Sequence, residues 1–212
     1  MGTLIPKKMK IVPLKLPHIF IYLLVLMLCV SCKVSKSFPL KYYTKNEATL
    51  QKIQKLYDTA NKPNNIAIAF TNWGLTDISL ELKTEAIHYI YEFNYKEKRL
   101  IDTLQKFGYK ANTIVSLINE MQKIKCTWVN TLEYYVDGKK YNLLCIAIHA
   151  KRFIFNQKTK YYVLHFYKQP QYYNEQGKLL NKRKLKQLRK INAETFVRIN
   201  DKVCYTISSK FR

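Results

Sequence analysis

Glycine is scarce in this chain, five in 212 residues, and so is negative charge, with 14 acidic residues against 37 lysines and arginines. A loop that cradles phosphate needs several closely spaced glycines so that backbone N–H groups can approach the ligand; no such fingerprint is present, and no cofactor is expected. Scarce carboxylates leave a paired-acid hydrolytic site to draw on isolated residues such as Glu81, Glu85, Glu92 and Glu133. No serine stands in a Gly-x-Ser-x-Gly turn. Of the 37 basic residues only six are arginine, whereas a surface built for bidentate recognition of phosphate or carboxylate would use more of it. The longest apolar run, Ile19 to Val30, is too short to span a bilayer. Beyond residue 32 there are three cysteines, Cys126, Cys145 and Cys204; an odd number excludes a full disulfide framework and leaves a single bridge open. Cys145 lies within the apolar stretch Leu143 to Ile148 and reads as a small buried hydrophobe.

What is present begins at the N-terminus. Lys7, Lys8, Lys10 and Lys15 precede the apolar run, and Ser31 and Cys32 follow it. A basic leader, a short apolar core and a small residue before the processing point are the three parts of a secretory signal. The prolines Pro6, Pro13 and Pro17 lengthen the region before the apolar core, and a start at Met9 gives the more usual short form. The segment Leu28-Cys29-Val30-Ser31-Cys32 resembles the lipobox of bacterial lipoproteins: Val30, Ser31 and Cys32 match, while Cys29 stands where that family has Leu. The resemblance covers residues 1–32 only. It implies lipid attachment at Cys32 and a location in the cell envelope, anchored to the membrane; the absence of an acidic cluster after Cys32 implies the periplasmic side.

Four of the basic residues and none of the acids lie before Cys32, which leaves a net charge of +19 after it. Such a field attracts anionic surfaces. The 31 lysines stand alongside 17 tyrosines and 15 asparagines, a mixture that codon bias in an AT-rich genome would produce, so part of the charge is background. An exported domain does not meet nucleic acid, and none is expected as a partner. The strongest local concentration of charge is Lys178, Lys182, Arg183, Lys184, Lys186, Arg189 and Lys190, with no acid between them. Leu179, Leu180, Leu185, Leu188 and Ile191 are spaced so that a helix through this segment would carry an apolar stripe, suited to anionic lipid headgroups. The competing reading is a solvated segment that packs its leucines on a sheet.

Residues 1–31 thus read as the signal, 32–44 as the lipidation site and a tether, and 45–212 as a single domain of ordinary size. Leu50, Ile53, Tyr57 and Ala60 predict a helix over 45–61 with Thr44 as its cap. Strands are predicted at 66–70, 79–83 and 87–95, the last with Ile87, Tyr89, Tyr91, Phe93 and Tyr95 on one face. Helices follow over 96–107, ended by Gly108, and over 113–125, capped by Asn112. Strands at 128–136 and 141–155 flank Asp137-Gly138, a hairpin signal in which Lys139 and Lys140 lengthen the loop. Further strands are predicted at 161–168, 195–199 and 203–208. Hairpins outnumber helix–strand alternations, so the fold class is α+β, an antiparallel or mixed sheet with helices packed on one face.

His88, His149 and His165 each fall in a predicted strand, and Glu92 lies on the same strand face as His88. Were they to converge they would form a metal or acid–base site. No His-x-His or His-x-x-x-His pair occurs, and the expectation for each is a hydrogen-bonded or half-exposed sheet histidine. The leading functional expectation is a non-catalytic, lipid-anchored envelope protein whose basic domain binds an envelope protein or an anionic surface. The alternatives are an immunity-type lipoprotein that neutralises an exported toxin, and a hydrolase using His88, Glu92, His149 or His165.

Overall fold

In the computed structural model the described residues are 37–60, 65–84, 86–136, 139–149, 160–191 and 194–208. They form three helices and ten strands: α1 (Phe38–Ala60), β1 (Asn65–Phe70), β2 (Asp77–Lys83), β3 (His88–Asn94), α2 (Lys98–Lys106), α3 (Ala111–Lys123), β4 (Cys126–Val136), β5 (Lys139–His149), β6 (Tyr161–Phe166), β7 (Lys190–Ile191), β8 (Glu194–Thr195), β9 (Val197–Arg198) and β10 (Val203–Ser208). Eight strands make one antiparallel sheet in the order β3-β2-β1-β4-β5-β6-β10-β9, and β7 pairs with β8. The fold is α+β with the helices on one face.

Alternation along the strands assigns each side chain to a face. Ile66, Ile68 and Phe70 of β1 stand level with Leu82, Leu80 and Ile78 of β2, and Val129, Ile146 and Leu164 continue the row across β4, β5 and β6. All are buried. Onto this face fall Leu50, Ile53 and Tyr57 of α1, Leu100 and Leu104 of α2, and Ile114, Leu117, Ile118 and Met121 of α3. The Tyr57 hydroxyl donates to the Ile66 carbonyl, Phe38 stacks on Tyr162, and the Phe107 ring at the end of α2 meets Tyr89 and Tyr91. Glu120 fastens α1 to α3: its carboxylate is covered, accepts 2.7 Å hydrogen bonds from Lys52 and Lys123, and is held below the ordinary carboxylate range by them.

The opposite face is buried as well. Ala69, Trp128, Tyr134, Leu143, Cys145, Ala147, Val163 and Cys204 form a second apolar layer, which Leu179 and Phe196 cover from the long connection between β6 and β10. Strand β5 is therefore buried on both faces from Leu143 to Ile148, not only on the helical one.

Several boundaries differ from the expectations: β2 and β4 each start two residues early, α2 starts two residues late, and the strand expected over 195–199 is divided into β8 and β9, which belong to different sheets. Helix α1 starts at Phe38, so residues 38–44 belong to the domain and not to a tether, and Thr44 is no cap: its hydroxyl donates back to the Leu40 carbonyl. The expected start falls at a kink, where Asn46 (φ −113°, ψ 15°) leaves helical geometry and its amide donates to the Tyr42 carbonyl. Helix α3 begins at Ala111, and Asn112 lies in its first turn. Lys139 and Lys140 pair with Val136 and Tyr135 and so belong to β5. The Asp137-Gly138 turn, residues 150–155 of the strand expected after it and most of the turn at 156–160 lie outside the described residues.

The two rims of the sheet are unequal. At one end β9 has two residues, and its outer side is sealed by the segment around Lys178, which bridges to Val197 while the Arg198 N–H donates to the Gly177 carbonyl. At the other end stands β3, seven residues long.

Candidate functional site

The basic segment does not form a helix. Leu179 goes down onto the sheet, its N–H donating to the Phe196 carbonyl, and Leu180 pairs with Leu188 across a loop. Asn181 organises that loop: its side-chain oxygen accepts from the Arg183 and Lys184 N–H groups, while its own N–H donates to the Gln187 carbonyl. Such local side-chain to backbone bonds offer the chain an alternative to helical pairing, which is why the leucine spacing misleads. The expectation of an amphipathic helix is corrected to a closed, hydrogen-bonded loop.

The loop separates the seven predicted cations. Lys182, Arg183, Lys184 and Lys186 are exposed on it, together with Leu185 at 51% and Leu188 at 41% exposure. Among the described residues no carboxylate pairs with Arg183, Lys184 or Lys186. Lys178 is half-buried in the bridge to Val197, and the Arg189 guanidinium lies 5.9 Å from the centre of the Tyr167 ring. Lys190 begins β7. Cys32 and the rest of the leader lie outside the described residues.

The histidines do not converge. His88 is on the rim strand β3, where Nε2 lies 3.4 Å from Glu81 on β2. His165 is on β6, five strand positions away, roughly 24 Å at the usual strand spacing. His149 faces the same side as His165 but sits opposite Tyr161, four residues along β6 or about 13 Å, and its ring stacks on Trp73. Glu92 shares β3 with His88 only. The grouping that the hydrolase alternative needs is not formed, and among the described residues no cluster of His, Cys, Asp and Glu has the geometry to hold a metal.

What the fold assembles instead is a row across three strands that the one-dimensional spacing conceals. Cys145, His165 and Cys204 stand opposite one another on β5, β6 and β10. The Cys145 thiol lies 3.4 Å from His165 Nδ1, and Thr206 Oγ1 lies 3.1 Å from Nε2. Burial dominates the electrostatics: it pushes His165 down to about 3, Cys204 up to about 12 and Cys145 well above its ordinary value. At neutral pH the imidazole is uncharged and both thiols keep their protons, so neither is an active nucleophile. The two thiols occupy strands on either side of β6, about 10 Å apart, beyond disulfide reach, and Cys126 pairs with Ile148 on the helical face; all three cysteines are free.

An open indentation of about 700 Å³ between α1 and the α2–α3 turn is lined by Gln51, Gln54, Lys55, Asp58 and Lys110. It is wide and lacks a converging acid–base pair. Comparison of the chain with protein-family models, with curated proteins and with solved structures finds no match.

Proposed function

We propose that this chain is a lipid-anchored protein of the bacterial cell envelope, tethered through Cys32, whose domain binds an anionic membrane surface through the loop from Asn181 to Leu188 and works by binding, not catalysis. The observation that carries the reading is the loop's composition in place: four exposed cations around an exposed leucine, held on a hydrogen-bonded frame. Each cation near an anionic bilayer is worth about 1 kcal/mol, so four supply roughly 4 kcal/mol, and a leucine tip that enters the interface adds to it. That is weak for a free protein and sufficient for a tethered one. The early start of α1 supports the same reading, because only six residue steps separate Cys32 from Phe38. A chain of that length reaches at most about 20 Å, which keeps the domain beside the headgroups.

The test is binding of residues 33–212 to vesicles with and without anionic lipid. Binding to the acidic vesicles is expected, falling as the Debye length shrinks from ~10 Å at 0.1 M salt to ~3 Å at 1 M. Equal binding by a variant with Lys182, Lys184 and Lys186 changed to Gln would remove the loop from the account.

A further inference from the structure

Strand β3 is a rim whose outer side pairs with nothing among the described residues. Glu97 reveals which of its backbone groups face outward: its side-chain Oε1 accepts the Asn94 N–H, and its own N–H donates to the Asn94 carbonyl. The next residue, Tyr95, donates inward to the Thr76 carbonyl. Direction alternates along an antiparallel strand, so the N–H and C=O groups of Glu92, Ile90 and His88 point away from β2, as those of Asn94 do. The side chains of these residues lie on the face without helices, where Ile90 is 59% exposed and His88 and Glu92 are exposed. The strand has no lysine, no proline and no bulge in its seven pairs with β2, and its one carboxylate, Glu92, stands two residues from Ile90, as His88 does on the other side.

We propose that β3 pairs with β3 of a second copy of this chain, antiparallel about a two-fold axis through Ile90. In that register Ile90 meets the partner's Ile90, His88 meets the partner's Glu92 and Glu92 meets the partner's His88, while on the helical face Tyr89 meets the partner's Tyr91. Apolar side chains face each other, imidazole faces carboxylate, and the outward N–H and C=O groups of three residues find partners. The neighbouring registers lack this match. Centring on Tyr91 sets Ile90 against a carboxylate and calls on Asn94, whose backbone groups Glu97 already occupies. Centring on Tyr89 sets Ile90 against an imidazole and leaves Glu92 opposite Ala86. An edge of this length covers less than the ~800 Å² per partner of a typical stable complex, so the dimer is dissociable and is best caught covalently.

The experiment is mild oxidation of the full-length chain carrying single cysteines, read on non-reducing gels against the unsubstituted chain. The native thiols Cys126, Cys145 and Cys204 are buried, and any dimer formed through Cys29 or Cys32 appears equally in the unsubstituted chain and is subtracted with it. Opposed residues of a hydrogen-bonded pair have Cα atoms ~5.5 Å apart, within disulfide reach. Ile90→Cys is expected to give several-fold more disulfide dimer than Ile87→Cys, a comparably exposed neighbour at 52%. An equimolar mixture of His88→Cys and Glu92→Cys chains is expected to cross-link where neither does alone. A yield at Ile90→Cys no higher than at Ile87→Cys, or a His88→Cys and Glu92→Cys mixture that stays monomeric, would overturn the proposal.

Discussion

Cys145 and His165 face each other across the β5–β6 ladder, thiol sulfur to Nδ1 at 3.4 Å, in a layer closed by Leu179 and Phe196. The imidazole is held neutral there by burial alone, since no charged partner opposes the effect. The hydroxyls of Tyr134, Tyr167 and Tyr173 are covered in the same layer, those of Tyr167 and Tyr173 beside the Cys204 thiol. This layer is thus costly to form and sensitive to protonation.

The pH dependence follows with a definite sign. His165 has a folded pKa near 3 against an unfolded value near 6.5, so between them the unfolded chain binds more protons. The stabilisation by neutral His165 is complete above pH 6.5 and is lost as pH falls. At pH 5 the loss is about 2 kcal/mol, a figure that depends only on the unfolded value as long as the folded one lies below 5. Urea unfolding at pH 7.5 and pH 5 should show it, and a stability that is flat or rising over this interval would mean that His165 is not enclosed.

The centre of the sheet makes a second expectation. Ile146 is fully buried on the helix-covered face, between β4 and β6. Ile146→Ala should cost roughly 2 to 5 kcal/mol, a large part of the 5 to 15 kcal/mol typical of a whole domain. Lys139→Ala, at the exposed start of the same strand, should cost far less. Thermal melts compare the two, and equal melting temperatures would contradict the central placement of β5.

The anchor is tested by chemistry. Cys32→Ser should release the full-length protein from membranes, or leave it as an unprocessed precursor, and metabolic labelling with a fatty acid should disappear. Undiminished labelling of that variant would place the lipid elsewhere or nowhere.

Local pattern was a good guide where neighbours in sequence are neighbours in space. The alternation Tyr89-Tyr91-Phe93 marks β3, and the apolar residues from Ile114 to Met121 mark α3. It failed at the N-terminal turns of α1, whose contacts are distant: Tyr42 donates to the Ile124 carbonyl and Tyr43 bonds Asn200. Nothing between residues 38 and 44 announces partners that far along the chain. The basic segment failed for a different reason: Leu179 is buried on the sheet while Leu180 and Leu188 pair with each other across the loop, an arrangement that a single helical stripe cannot represent. The Cys145, His165 and Cys204 row was illegible because strand register is set by the connections between strands, and one-dimensional spacing does not encode it.

The sealed rim at β9 has a consequence for polymerisation. A sheet open at both ends can template its own copies without limit, which is the geometry of a fibre. Here the bridge from Lys178 to Val197 and the bond from Arg198 to Gly177 already occupy the outer side of β9. Among the described residues β9 is therefore closed to strand addition, and β3 is the open rim of the sheet. If β3 pairs with a second copy as proposed, neither described rim of the sheet is left to extend it, so such pairs would not grow into filaments through these rims.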